Sequence, residues 1–390
     1  MSGLLAGTML LRRGWAVDIF ERVESELAGR GAGIVAQPEL IGRLKALGLD
    51  VGDLGVAVKR RQLLDRDGGV AGALACPQVL TAWERVYRLL RDAFPAERYH
   101  RERGLTTFVQ DDRSVTAHFS DGRAEQGSVL IGADGLRSTV RQQCLPDVAP
   151  LYAGYVAWRA LVAEGAIPEA IHRELFDAMT FCLPPGEQFL GYPVAGPDND
   201  LRSGHRRYNV IWYRPADEAT ELRSLLTDDN GIVHALSIPP PLIRDDAIAA
   251  MRAAAERLLA PQLREIVRLI DEPLLQPIYD LASPRLAFGR VVLVGDAAFV
   301  ARPHVGAGVS KAADDAAALA DALDADGVEE GLRRYEAARL PQGHRIIERA
   351  RHLGAYLQAT QSAAERASSA LHGIPQAVLA ETATLDFLYA

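Results

Sequence analysis

The chain has 390 residues, 48% hydrophobic and 24% charged, which are ordinary values for a globular protein long enough to form two packed lobes. Its net charge of −8 argues against a general nucleic-acid partner or an acidic membrane surface. No apolar run reaches the about 18 residues of a transmembrane helix, so we expect no membrane span and a cytoplasmic protein. Cys76, Cys144 and Cys182 lack metal-ligand spacing, so no metal site is predicted.

The first elements predict part of a nucleotide-binding fold. Residues Leu4 to Gly14 have the pattern of an apolar helix that ends at a glycine, and Trp15 to Glu21 has the composition of a strand. Glu21 follows Gly3 at close to the spacing of about 20 residues that separates a dinucleotide-binding glycine turn from the acid that binds the ribose. We therefore expect Gly3 and Glu21 to bind a nucleotide.

A second apolar strand ends in an acid and a glycine. The run Val129 to Gly132 leads into Ala133, Asp134 and Gly135, and the chain continues through Ser138 to Arg141. An acid at the carboxyl end of a buried strand lies where open α/β sheets bind ligands. Asp134 and Gly135 are therefore candidate cofactor residues.

The segment from about 151 to 285 has a different pattern. Its alternating, aromatic-rich runs predict antiparallel strands, and Asp246 to Ile270 predicts an amphipathic helix. Four side chains are candidates for projection into a pocket, although aromatics on alternating strands are more often core residues. These candidates are Tyr155, Gln188, Tyr192 and Trp212.

The most informative stretch is the strand Arg290 to Val294, which ends in Gly295 and Asp296. Gly295 permits a sharp turn, and Asp296 can accept hydrogen bonds from ribityl or ribose hydroxyls. The backbone of Gly306, Ala307 and Gly308 can approach a ring or phosphate closely. The helix that follows has an N-terminus that favours negative charge.

These two patterns together resemble the flavoprotein aromatic hydroxylases of the para-hydroxybenzoate hydroxylase type. The second fingerprint of that family is matched by Asp134, Gly135, Ser138 and Arg141, and the third by Gly295 to Ala298 with Pro303, Gly306 and Gly308. The resemblance implies an α/β fold in which a Rossmann-like, doubly wound FAD-binding domain is interrupted by a mostly antiparallel substrate-binding sheet and followed by C-terminal helices. It also implies FAD, with NADH or NADPH as a transient co-substrate that the sequence does not distinguish.

The first fingerprint of the family departs from its usual form. Gly3 resembles the last glycine of the family's Gly-x-Gly-x-x-Gly turn, and we expect the first strand of the nucleotide-binding sheet to be missing from this chain. Two explanations stay open. Met1 is an internal methionine of a longer protein, or the gene is truncated.

The loop after the third fingerprint supplies the catalytic candidates Arg302, Pro303 and His304. A guanidinium at residue 302 could hold an anionic substrate oxygen, and a neutral imidazole at residue 304 could take or relay a phenolic proton. The alternative roles are a surface arginine and a hydrogen-bonded loop histidine. In the family, oxygen reaches the ring through a flavin hydroperoxide, so no catalytic triad is needed.

Three further stretches, residues 33–40, 152–159 and 302–304, resemble the dihydroxypyridine-hydroxylating branch of the family. We therefore predict a monooxygenase that uses O₂ to hydroxylate a small electron-rich aromatic or N-heteroaromatic ring. The alternatives are a hydroxylase of a larger phenolic natural product and a truncated, non-catalytic flavin-binding protein. The predicted organisation is FAD-binding at residues 1–150, substrate-binding at 151–285 and FAD-binding with C-terminal helices at 286–390, and the resemblance implies a homodimer.

Overall fold

The computed structural model describes residues 1–24, 33–385 and 387. The helices are α1 Ser2–Arg12, α2 Pro38–Ala46, α3 Trp83–Ala93, α4 Thr139–Cys144, α5 Glu169–Leu175, α6 Arg223–Leu225, α7 Asp245–Leu258, α8 Pro261–Arg268, α9 Gly308–Gly354, α10 Ala363–Ser369 and α11 Pro375–Glu381. The strands are β1 Ile19–Phe20, β2 Gly33–Val35, β3 Val56–Leu64, β4 Val70–Ala82, β5 Tyr99–His100, β6 Leu105–Gln110, β7 Val115–Phe119, β8 Ala124–Gly127, β9 Leu130–Gly132, β10 Leu151–Ala163, β11 Ala178–Cys182, β12 Gln188–Val194, β13 Arg207–Pro215, β14 Leu274–Ala282, β15 Ala287–Phe288, β16 Val291–Leu293 and β17 Phe299–Val300.

A mostly antiparallel, nine-stranded sheet dominates the structure, in the order β17-β14-β10-β13-β12-β11-β3-β4-β2. Successive side chains of a strand point to opposite faces, so the sheet has two distinct faces. Val210 and Trp212 pack on the outer face, in the core that contains residues of α7 and α8. Ile211 and Tyr213 pack on the inner face, in a core that also contains Leu357 from the C-terminal region.

The large sheet is not confined to the segment predicted for it. Strands β2, β3 and β4 come from residues 33–82, which the sequence assigned to the FAD-binding part. They join the sheet because β3 pairs in parallel with β11, with Arg60 opposite Ala178. The predicted boundary at residue 151 therefore does not follow the sheet, since a pairing between strands so far apart leaves no local signal.

The nucleotide-binding strands form two smaller groups. β9 and β16, which carry the second and third fingerprints, are parallel neighbours with Gly132 opposite Leu293. β1 pairs in parallel with β5, and no described strand joins β1 to β9. Helix α1 approaches β1 closely at Gly7, where a Cβ would lie 2.9 Å from Ile19. The expected α/β arrangement, interrupted by the antiparallel sheet and followed by C-terminal helices, is present.

Two kinds of feature are absent from the described part of the chain. No helix there is both long and apolar enough to cross a membrane. Nor does that part hold a group of three or more His, Cys, Asp or Glu side chains placed to bind a metal ion.

Candidate active site

The third fingerprint turn places Asp296 in a cleft. Gly295 follows the buried strand β16 with a φ of 60°, a left-handed conformation that favours glycine, and a Cβ there would collide with Ser2. The side chain of Asp296 is exposed although both neighbouring residues are buried. Desolvation nevertheless raises the pKa of this carboxyl, and the nearby Lys311 ammonium opposes the shift. A group that solvent reaches but that protein surrounds lies in a concave site, which suits an acceptor for ligand hydroxyls.

The N-terminus of α1 brings the predicted nucleotide-binding residues together. A Cβ at Gly3 would lie 3.5 Å from Ala133, next to the second fingerprint. Burial lowers the pKa of the Met1 amine, and the carboxylates of Glu21 and Asp296 act in the opposite direction. Because such interactions weaken with distance, both carboxylates lie near this helix end. Gly3, Glu21 and Asp296 therefore surround one helix N-terminus, where anionic groups are favoured.

A residue of the second fingerprint hydrogen-bonds to the turn of the third. Ser138 Oγ accepts a hydrogen bond from the Arg141 backbone N–H at 2.9 Å and so caps α4. The buried Arg141 guanidinium donates to the carbonyl of Ala297 at 3.0 Å. Gly135 has a φ of 75° with no described atom within 4 Å of a Cβ position, and Asp134 beside it is exposed. This turn therefore leaves open backbone beside an acid.

The loop that opens α9 also offers accessible backbone. Gly306 has a φ of 61°, and at Gly308 a Cβ would meet no described atom within 4 Å. Ala307 is buried between them, and Pro303 is exposed between buried neighbours. The open glycines, the N-terminus of α9 and the accessible acids fit a flavin dinucleotide, whose diphosphate and ring need close backbone approach.

A buried ionic cluster that sequence reasoning missed supports this turn. Asp315 Oδ2 accepts a hydrogen bond from the Gly295 backbone N–H at 3.1 Å and lies 3.3 Å from Lys311 Nζ, and Asp315 Oδ1 accepts from Arg339 Nε at 2.8 Å. The two cations help to lower the pKa of Asp315 against its desolvation. The sequence shows that Lys311 and Asp315 are one helical turn apart, but the third partner, Arg339, lies beyond Gly327, where a φ of 72° and a ψ of −166° interrupt α9.

Tyr155 and His304 form a buried pair on the inner face of the sheet. The Tyr155 hydroxyl lies 2.9 Å from His304 Nε2, and the Tyr213 ring is centred 4.3 Å from the imidazole. Burial, aided by the Arg302 cation, lowers the pKa of His304 to about 3. Burial also raises the pKa of Tyr155 well above its usual value. Both side chains are therefore uncharged at neutral pH.

The guanidinium of Arg302 forms an ion pair with a carboxylate of the protein. Its Nη2 donates to Asp280 Oδ2 at 2.9 Å and its Nε lies 3.2 Å from both carboxylate oxygens. Arg351 Nε also donates to Asp280, and Arg302 Nη1 makes a long contact of 3.5 Å with Gln358. Most of the hydrogen bonds of this guanidinium therefore go to other residues of the protein. This favours a positioning role for Arg302 over direct binding of a substrate anion.

The other three substrate candidates lie on two different faces of the large sheet. Gln188 lies on the inner face, where its Oε1 accepts a hydrogen bond from Tyr356 at 2.9 Å. Tyr192 shares that face, and its hydroxyl donates to the Gly33 carbonyl at 2.7 Å. Trp212 packs on the outer face, so the expectation that it projects into the pocket is wrong. The sequence shows that successive residues of β13 alternate between the two faces of the sheet. It does not show which face the even-numbered residues lie on.

Two further tyrosines of this pocket were missed. Tyr213 is the strand neighbour of Trp212 and sits opposite Gln188 in the sheet register. Tyr356 comes from the C-terminal region, and its charged form would raise the pKa of Tyr155, which places it close to that residue. Strand alternation could have indicated Tyr213 once Trp212 was assigned to the outer face, whereas no local signal marks Tyr356.

Comparison with known proteins supports this description. Residues 152–280 match a family model described as FAD binding domain-like, and residues 278–350 match one described as FAD binding domain. The 2,6-dihydroxypyridine 3-monooxygenase of Paenarthrobacter nicotinovorans is 32% identical over 92% of this chain and 89% of that protein. The 3-amino-4-hydroxybenzoate 2-monooxygenase of Streptomyces cremeus is 29% identical over 90% of this chain and 84% of that protein.

Solved structures of related proteins share the fold of this chain. The structure of 2,6-dihydroxypyridine-3-hydroxylase from Arthrobacter nicotinovorans has a TM-score of 0.86 and 32% identity and covers 93% of this chain and 91% of its own. Klebsiella pneumoniae HpxO, complexed with FAD and uric acid, shares the fold with a TM-score of 0.76, 22% identity and coverage of 99% and 94%. The predicted family and the FAD cofactor are confirmed: this chain belongs to the FAD-dependent aromatic monooxygenases.

Proposed function

We propose that this protein hydroxylates a small, hydroxylated aromatic or N-heteroaromatic ring of the dihydroxypyridine type, with O₂ and either NADH or NADPH. The observation that carries the proposal is the uncharged pair of Tyr155 and His304, which is buried against the loop that opens α9. The hydroxyl of such a ring needs a hydrogen-bond acceptor, and the neutral imidazole of this pair can supply one. The relatives named for dihydroxypyridine and aminohydroxybenzoate hydroxylation support this class of substrate.

The cofactor residues have separate roles in this proposal. Gly3 and Glu21 hold the adenosine side of FAD, and Asp296 binds its ribityl or ribose hydroxyls. The turn of Asp134 and Gly135 and the backbone of residues 306–308 approach the diphosphate and the ring. Bound FAD, once reduced by the nicotinamide, supplies the activation of O₂ that hydroxylation requires.

His304 accepts the hydrogen bond of the substrate hydroxyl and so orients the ring. With a pKa of about 3 it is neutral at pH 7 and carries one ring proton and one lone pair. Its Nε2 is held by Tyr155, so Nδ1 is the atom that meets the substrate. In the tautomer that carries its proton on Nε2, His304 donates to the Tyr155 oxygen, and the lone pair of Nδ1 can accept the hydrogen bond of the substrate hydroxyl without creating a buried charge. Pro303 presents an apolar, exposed surface beside this pair and helps to exclude water.

The test is substrate-stimulated turnover. NADH and NADPH oxidation, O₂ uptake and product mass are measured with 2,6-dihydroxypyridine, 6-hydroxynicotinate, salicylate and para-hydroxybenzoate. We expect a hydroxypyridine to accelerate oxidation and to gain one oxygen atom. His304→Gln should slow that reaction with little change in FAD affinity, whereas Trp212→Phe, on the outer face, is the matched control. If the FAD-loaded protein responds to none of the four rings, the small-ring proposal fails and a larger phenol becomes the better account.

Two finer statements belong to the same proposal. We infer that the enzyme is cytoplasmic, in line with its composition, and that it forms a homodimer, in line with its family. Size-exclusion chromatography with light scattering tests the dimer, and a monomeric mass at working concentration would contradict it.

A further inference from the structure

Gln37 is a buried side chain that the proposed reaction does not use. It lies at the junction of β2 and α2 and is 3% exposed. Its Nε2 is buried and makes no hydrogen bond within the described structure. A buried amide donor without an acceptor is unfavourable, so an unpaired one in a folded protein needs an explanation.

The unpaired donor is directed at the loop that opens α9. Gln37 Nε2 lies 3.6 Å from the position that a Cβ would take at Gly306. Two residues on, Gly308 has open space on its Cβ side in the described structure, and Pro303 in the same loop is exposed. The amide therefore faces the accessible backbone that we assign to the cofactor ring.

The backbone around Gln37 is held rigidly. Its N–H donates to the Val35 carbonyl and its carbonyl accepts from the Ile41 N–H, both at 3.1 Å. The side chain makes no capping bond to α2, although Gln37 is the N-cap residue. Arg43, nearly two turns further along α2, lies 3.1 Å from Asp314 of α9, and this ion pair links α2 to the helix that follows the glycine loop. The donor is preorganised for a partner outside the protein's own hydrogen-bond network.

We propose that the Gln37 carboxamide is a flavin-binding group, whose Nε2 donates a hydrogen bond to an acceptor atom on the polar edge of the isoalloxazine ring. In the free protein this donor is unpaired, and FAD supplies its acceptor. Reduction places more negative charge on that edge of the ring. A neutral donor at this position therefore stabilises the reduced state more than the oxidised state and raises the midpoint potential.

The first test compares FAD affinity with apoprotein stability. Gln37→Leu has a similar volume and no donor, so FAD should bind about tenfold more weakly, which corresponds to about 1.4 kcal/mol. The melting temperature of the apoprotein should not fall, because the variant removes an unpaired buried amide. Gln62→Leu is the matched control, since Gln62 is equally buried but donates to Glu174 and Thr180 at 2.9 and 3.0 Å. That control should lower the melting temperature and leave FAD affinity unchanged.

The second test measures the flavin midpoint potential, which a purely structural residue would not change. Gln37→Glu exchanges the donor for a carboxylate and should lower the potential, and Gln37→Leu should lower it less. If Gln37→Leu leaves FAD affinity unchanged, or if Gln37→Glu leaves the potential unchanged, Gln37 does not contact the ring and the inference is overturned. Neither measurement needs a substrate, so the result is independent of the proposed ring specificity.

Discussion

The burial of His304 should make the folded protein sensitive to mild acid. Its pKa is lowered from an ordinary 6.5 to about 3, so the unfolded chain binds a proton at this residue well before the folded protein does. The stability that the neutral imidazole contributes is fully present above pH 6.5 and is lost as the pH falls toward 3. Each pH unit below 6.5 corresponds to roughly 1.4 kcal/mol, so about 2 kcal/mol is lost between pH 7 and pH 5.

His304→Gln cannot titrate and should lack this part of the acid sensitivity. Urea unfolding at pH 7 and pH 5, followed by fluorescence, gives the loss for each protein, and the variant should lose about 2 kcal/mol less than the wild type. Tyr155→Phe is the control, because it removes the hydrogen bond to Nε2 and leaves the imidazole buried, so its pH dependence should persist. Equal losses in the wild type and His304→Gln would refute a neutral, buried His304 and with it the proposed hydrogen bond to the substrate.

The remaining predictions concern the cofactor side and the neighbouring cation. Asp296→Ala should weaken FAD binding by roughly 1.5–3 kcal/mol in a fluorescence titration, because it removes a charged acceptor; unchanged affinity would contradict its role. Glu21→Ala should act in the same direction but more mildly, with turnover restored at saturating FAD. Asp315→Ala should lower the free energy of unfolding by about 3–5 kcal/mol, because it leaves buried cations unpaired. Arg302→Met should raise the pKa of His304, seen as a smaller acid-induced loss of stability.

The cofactor half of the site was largely predictable because its signals are local. A short apolar run that ends in Gly-Asp is a strand with an acid at its carboxyl end, and β16 is buried along its whole length with Asp296 just beyond it. The turn at Gly295 needs a left-handed backbone that its residue type already indicates. The cluster of Asp315 could not be predicted in full, because Arg339 lies beyond the interruption of α9 at Gly327, and only the change of chain direction there brings it to Asp315.

The substrate half was predictable only in part because its contacts are non-local. Tyr155 and His304 were both candidates, but their hydrogen bond joins strand β10 of the large sheet to the loop before α9. Trp212 is a clearer example of a residue whose position the sequence alone does not predict. Alternation indicates that Trp212 and Tyr213 face opposite sides, and a change of one residue in register reverses every assignment. Trp212 lies on the outer face because it packs in the same core as α7 and α8. The sequence does not show which face of the sheet those helices cover.

The two halves of the site differ in charge for a physical reason. On the cofactor side Asp296 lies near the ammonium of Lys311, and an anionic dinucleotide with many hydroxyls is bound well by fixed charges and helix N-termini. On the substrate side the pair of Tyr155 and His304 is neutral. The cation of Arg302 lies close to that pair, yet the carboxylate of Asp280 balances it. Arg302 can therefore lower the pKa of His304 without adding a net charge beside it, which supports our proposal that Arg302 positions His304 rather than binds the substrate.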